Sequence, residues 1–415
     1  MYKKFLALCY FTIFSVFCTY SQTSLDTNRK NAVRTFIDCS DCDIEFFKKE
    51  MNWINYVRDV KEADVYVLVS VRNNGGGGKE FTLTFQGQKK FAGINDSLII
   101  NTSSNTTSDE ERTQLIKFVE LEMLRYIAKT PDAKNFSISY DGNLSEKTPD
   151  GDAWRSWVMN INFNGWFSGE ESYHTTSLST NLSAIKTTPE WKVEFYFNYN
   201  YGESSFQLDT HKYVTINRSM YFENFLAKSL SEHWSVGNRM TITQSTYNNL
   251  DFNAAFLPAI EYNIFPYSKS TRKQFRLNYS AGVSYRLYTD TTIFDKIEEY
   301  LWVEKFNMAF AMIEKWGSIN SSLSWSNFFY DFKKYSLSIY SELNIRIIKG
   351  LSFQLSGNLS FIHDLRGLPK FEASTEDILL RQRQLDTQYS YWASIGLTYS
   401  FGSIYNNVVN PRFGN

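Results

Sequence analysis

Residues 335–347 alternate in character. Tyr335, Leu337, Ile339, Leu343, Ile345 and Ile347 share one parity, and Ser336, Ser338, Glu342, Asn344 and Arg346 share the other. Successive side chains of a β-strand point to opposite faces, so this run makes a strand with one apolar and one polar face. The pattern recurs. Leu351, Phe353, Leu355, Leu359 and Phe361 oppose Ser352, Gln354, Ser356, Asn358 and Ser360. Phe275, Leu277, Tyr279, Val283, Tyr285 and Leu287 oppose Arg276, Asn278, Ser280, Ser284 and Arg286. Each run exceeds the roughly five or six residues usual for soluble strands and approaches the length of a tilted membrane strand.

Turn signals separate these runs. Short links fall at 188–190, 231–233, 266–271, 314–317 and 349–350, and longer polar links near 168–172, 203–212, 247–250, 288–297, 330–334 and 363–388. Five short links alternating with six longer ones give twelve strands, and single-chain transmembrane barrels use even numbers. Residues 154–403 are therefore expected to form an all-β, 12-stranded antiparallel transmembrane β-barrel. Its short links would be periplasmic turns and its longer ones outside loops. A soluble β-sandwich also alternates, but with its outward face polar and with shorter strands.

Composition agrees. Aromatic residues make up 17% of the chain, yet mean hydropathy is polar at -0.37, a combination suited to aromatic girdles around a polar interior. A net charge of -1 leaves no electrostatic footprint for nucleic acid. Lys3 and Lys4 precede the apolar stretch from Phe5 to Phe17, and Thr19-Tyr20-Ser21 precedes Gln22, so residues 1–21 read as a secretory signal peptide. That stretch falls short of a spanning helix, and the bulky Phe17 before Cys18 departs from a lipoprotein site. No later run is long and apolar enough for a membrane helix, so insertion in a membrane would use strands.

Residues 30–140 read as a small α+β domain, in the order βαβ-hairpin-βα with helices on one face of a sheet. Strands are expected at Val33–Ile37, Ala63–Val71, Glu80–Phe85 and Phe91–Asn101, and helices from Asp43 to Met51 and from Ser108 onward. In the second helix Leu115, Val119, Leu121, Met123, Tyr126 and Ile127 fall on roughly one side. The run Ala63-Asp64-Val65-Tyr66-Val67-Leu68-Val69 follows a βα unit and precedes a Gly-rich hairpin. It resembles the small α/β module at the front of TolB-like and curli-secretion-type envelope proteins, and the resemblance implies a protein-binding or assembly role in the periplasm. Gly75 to Gly78 lack the Lys and Ser/Thr of a phosphate-binding loop and open a strand instead of a helix. Residues 141–153 are a linker by composition, and 404–415 form a periplasmic tail.

Ser394, Gly396, Tyr399 and Phe401 fit the pattern polar-x-Gly-x-x-aromatic-x-aromatic. This resembles the C-terminal insertion signal read by the barrel-assembly machinery, although the chain continues past the aromatic where many such proteins stop. As a whole, the chain resembles outer-membrane barrels that carry a periplasmic N-terminal α/β domain.

Few constellations point to chemistry. Cys39 and Cys42 flank Ser40-Asp41 between a strand and a helix, the position of a thioredoxin-type pair. No Trp or Pro flanks them in the thioredoxin manner, and Asp38, Asp41 and Asp43 would raise the thiol pKa. A structural disulfide is the expectation in an oxidising compartment. No motif around His174, His211, His233 or His363 matches the Ser, His and Asn set of outer-membrane phospholipases. Lys192, Glu194, Glu223, Arg239, Glu261, Arg276, Arg286, Lys305, Glu342 and Arg346 are assigned to the barrel interior, either as a ladder of ion pairs filling it or as the lining of a pore. Glu376 to Leu385 reads as a helix in the longest outside loop, a solvated helix or a lid.

No cofactor or metal site is expected. The leading expectation is a non-enzymatic outer-membrane barrel that anchors a periplasmic domain binding or assembling other envelope components. The alternative is a narrow channel or transporter gated by that domain, and a second alternative is an outer-membrane hydrolase. Expected partners are outer-membrane lipid and lipopolysaccharide, the barrel-assembly machinery and a periplasmic protein, with no nucleic acid.

Overall fold

A computed structural model describes residues 32–75, 77–139, 154–208, 211–370, 388–403, 405 and 407. The signal segment 1–21, the linker 141–153, the helical stretch 376–385 and most of the tail 404–415 lie outside the described residues.

The N-terminal part contains β1 (Arg34–Asp38), α1 (Ile44–Glu50), β2 (Asn55–Tyr56), β3 (Val65–Asn73), β4 (Lys79–Gly87), β5 (Asn95–Asn101) and α2 (Ser108–Ile127). The strands form one mixed sheet in the order β2-β1-β3-β4-β5, with β1 parallel to β2 and β3 and the rest antiparallel. The Asp43 carboxylate caps α1 by accepting the Phe46 N–H. Thr107 and Glu110 close a reciprocal capping box on α2. Both helices cover one sheet face, where Val65, Val67, Val69, Phe81, Leu83 and Phe85 meet Phe47, Val119, Met123 and Tyr126 in a single core.

Two local expectations change. Leu121 is 57% exposed, and Ile116 is buried instead; two positions beyond Val119 is about 200° round a helix, which carries a side chain to the opposite side. The last strand begins at Asn95, because Phe91 belongs to a short 3-10 turn that tucks its ring into the core.

The C-terminal part is one antiparallel sheet of twelve strands. They are β6 (Trp157–Gly169), β7 (Tyr173–Thr187), β8 (Trp191–Leu208), β9 (His211–Ser229), β10 (Trp234–Ser245), β11 (Leu250–Asn263), β12 (Lys273–Tyr288), β13 (Glu298–Glu314), β14 (Gly317–Phe328), β15 (Asp331–Ile348), β16 (Leu351–Ile362) and β17 (Tyr389–Tyr399). Every strand pairs with its neighbour in sequence.

Three links expected to be long are short, the first joining Gly169 of β6 to Tyr173 of β7 across only Glu170, Glu171 and Ser172. β8 and β9 pair out to Leu208 and His211, and β14 and β15 out to Phe328 and Asp331. The polar stretch Glu203-Ser204-Ser205 looked like a loop, but backbone ladder bonds hold a strand end whatever its side chains.

Cross-strand partners share a face, so the register sorts the side chains. One face carries Phe275, Leu277, Tyr279, Val283 and Tyr285, paired with Phe310, Met308, Phe306, Trp302 and Tyr300. The other is polar and concave, since a cavity of about 330 Å³ is lined by side chains from β8 through β13. β6 and β17 each pair on one side only, so among the described residues the sheet is open along that seam.

Candidate functional site

The second face of the N-terminal sheet is covered by the short-link end of the twelve-stranded sheet. Its side chains, Tyr66, Leu68, Ser70, Thr82 and Thr84, are all buried. Arg346 of β15 donates from its two terminal guanidinium nitrogens, Nη1 and Nη2, to the two carboxylate oxygens of Asp38, at 2.8 and 2.7 Å. The Tyr66 hydroxyl donates to the same carboxylate at 2.6 Å. The Arg346 guanidinium also lies 5.1 Å from the Phe36 ring centre, and the Lys315 ammonium 5.5 Å from that of Tyr66.

Further contacts spread around this pair. The Gly350 N–H donates to Asp59 at 2.8 Å, Lys349 pairs with Glu62, Arg58 donates to the Phe401 carbonyl at 3.2 Å, and Arg72 reaches the Ser270 hydroxyl. Lys349 donates a hydrogen bond to Glu62 and so holds its carboxyl below the usual carboxylate range. The chain beyond β17 turns back as well. Tyr405 bridges Val57, and the Asn407 side chain accepts the Tyr56 N–H at 2.7 Å. Contacts from 266–271, 314–317 and 349–350 and from the end of β17 make this a seat across the sheet end.

The ten charged residues assigned to the interior all share the polar face by register. Lys192 pairs with Glu194 at 2.9 Å and Arg239 with Glu223 at 3.3 Å. Glu261 accepts from the Tyr267 hydroxyl at 3.0 Å, and Glu342 from Tyr340 at 3.1 Å. Arg286 stacks on Phe328, while Arg276 and Lys305 line the cavity. Arg346 differs from the other nine, because its partner, Asp38, comes from the N-terminal domain.

At the opposite end, the link after β16 folds back over the sheet. Arg366 and Glu299 form a largely shielded ion pair flanked by Phe294, Phe328 and Tyr330. The Asn249 amide donates to the carbonyls of Asp290 and Gly367 at 2.9 and 3.0 Å, tying three links together. Burial pushes the Asp364 carboxyl up, against the pull of Arg286.

Cys39 and Cys42 are joined by a disulfide. Two of the three acids around it have other duties: Asp38 serves Arg346, and Asp43 caps α1 and pairs with Arg112. His174 lies in β7 and His211 begins β9, while the His233 Nδ1 lies 2.7 Å from the Asn263 carbonyl and His363 stacks on Tyr335. Among the described residues no three His, Cys, Asp or Glu side chains gather as a metal site. Ser394 and Gly396 pair with Ser356 and Gln354 in β16, and Tyr399 and Phe401 stack on each other, both exposed.

Asp38, Asp59, Glu62 and Tyr66 escaped the sequence reading as a docking surface. One signal was available. β3 is apolar on both parities, as befits a strand covered on both faces. The chain matches no known protein family, and no curated protein matches it.

Proposed function

We propose that the chain is an outer-membrane β-barrel whose own N-terminal domain stoppers the periplasmic mouth, and that it passes small polar solutes when the stopper lifts. The observation that carries this reading is the Arg346–Asp38 pair at the seat of the domain on the short-link end.

Membrane placement rests on the apolar face and the strand count. The aromatic pairs Phe275–Phe310 and Tyr285–Tyr300 lie ten residues apart along β12 and β13. At about 3.3 Å per residue and a ~40° tilt, that separation is roughly 25 Å, the height of the apolar band of such barrels. With twelve strands in sequential order, β6 and β17 run antiparallel. Pairing them closes the barrel and removes two edges whose backbone groups lipid cannot satisfy.

A gate fits the junction better than a permanent cap. The helix-covered face of the N-terminal sheet is packed with Val, Leu and Phe, whereas the docked face holds Ser70, Thr82 and Thr84, whose buried hydroxyls have no protein partner. Such hydroxyls each cost about 1–3 kcal/mol when buried unpaired, so this face is built to separate. A second reading, in which the domain also binds an envelope component, is favoured by the free edge of β5 with Ile99 58% exposed.

The test is placement. The full chain in outer membranes is expected to migrate faster on denaturing gels before heating than after. Protease added outside should spare the N-terminal domain until the outer membrane is breached. Migration unchanged by heating, or a domain cut in intact cells, contradicts the reading.

A further inference from the structure

The polar cavity between β8 and β13 holds more positive charge than its own carboxylates answer. Four cations, Lys192, Arg239, Arg276 and Lys305, line it together with two carboxylates, Glu194 and Glu261. Glu223, just beyond the lining, is engaged by Arg239. Glu194 is engaged by Lys192, and Glu261 already accepts from Tyr267.

Lys305 is left over. Its side chain projects into the open space of the cavity, and among the described residues its ammonium makes no hydrogen bond or ion pair. Arg239 and Arg286 repel it, and the carboxylates that attract it, Glu223 and Asp364, stand too far off to bond. Its cross-strand neighbour on β12 is Ser280, Asn278 and Asn307 follow on the same face, and the two carboxylates of the lining are already engaged. An ammonium with three free donors, facing guanidinium groups across a polar hollow, is short of an acceptor.

We infer that this cavity binds a small oxyanion, a carboxylate or phosphate group, held by Lys305 with Arg239 and Arg276 around it. At about 330 Å³ the space admits a solute of a few heavy atoms beyond the charged group. The inference rests on reading the polar face as the wall of a conduit, and it makes that conduit selective for small anions. Glu223 serves as the counter-charge that keeps Arg239 from holding the anion too tightly to release.

The experiment titrates the full chain in detergent with inorganic phosphate and, separately, with succinate, following heat of binding. Saturable binding of at least one is expected. Lys305→Gln should weaken it about tenfold or more, the loss of one charge-assisted hydrogen bond, and Lys305→Arg should restore most of it. Which of the two ions binds separates phosphate from carboxylate recognition. No binding of either, or binding that Lys305→Gln leaves unchanged, overturns the inference. Conductance is measured in parallel on the Arg346→Ala variant. Current without oxyanion binding leaves the conduit standing and removes the site; oxyanion binding without current keeps the site and removes the conduit.

Discussion

Arg346 and Asp38 stand 308 positions apart in the chain and meet in a two-pronged ion pair that joins the two folded parts. Each side chain is partly shielded, at 32% and 23% exposed, so the pair is worth more than a surface bridge and less than a fully buried one. Arg346→Ala and Asp38→Asn are each expected to loosen the seat by about 1–2 kcal/mol. The double variant should cost little more than either alone, because the two residues act through one contact. Protease release of the N-terminal domain measures this; fully additive losses would show that they act independently.

Acid should loosen the same seat. The Glu62 carboxyl is held below its ordinary range by Lys349 when docked. A carboxyl with a depressed pKa lends its stabilisation above its ordinary pKa and loses it as pH falls through the docked value. Domain release is therefore expected to be flat near neutrality and to rise as pH drops below about 4.5. Glu62→Gln should flatten part of that rise and raise release at neutral pH. An acid response unchanged in Glu62→Gln would contradict the assignment.

Gly350 makes the two-residue turn between β15 and β16 at φ +75°, with the Ser400 carbonyl 2.2 Å from where a Cβ would stand. Its N–H also serves Asp59. Gly350→Ala forces a left-handed residue at a cost of about 1–2 kcal/mol and pushes the end of β17 away. The heating midpoint of the gel shift should fall and domain release should rise together. A fall in neither would show that this turn does not hold the seat.

The Cys39–Cys42 disulfide closes the turn directly after Asp38, and Cys39 lines a cavity at the seat together with Asp38 and Arg346. A loop this small is worth about 2 kcal/mol on a chain-entropy basis. A dithiol reductant is expected to raise protease release of the domain severalfold while its core survives, since Phe47, Met51 and Val119 are fully buried and the two cysteines pack against that core only partly buried. A Cys39→Ser, Cys42→Ser variant should show the raised level with or without reductant. Release that ignores reductant would sever the link between the bridge and Asp38.

The faces of the twelve-stranded sheet were legible in the sequence because side-chain parity is a local property: Phe275 and Arg276 declare opposite faces whatever surrounds them. The ten polar-face charges could be assigned for the same reason. Strand ends were harder to place, since Glu203 to Ser205 are polar residues held by ladder bonds to a neighbouring strand. The seat was not legible. In sequence, Asp38 reads as the neighbour of a cysteine pair and Arg346 as one interior charge among ten. No local period ties residues 308 apart. The closest hint lay in β3, where Tyr66, Leu68 and Ser70 interleave with core valines on a face that something had to cover.

Single-channel current across a planar bilayer tests the central claim most directly, with the full chain measured beside Arg346→Ala. The account predicts a wild-type protein that is closed or opens rarely, and a variant that conducts steadily. Two proteins that both insert, both shift on heating and both stay silent would contradict it.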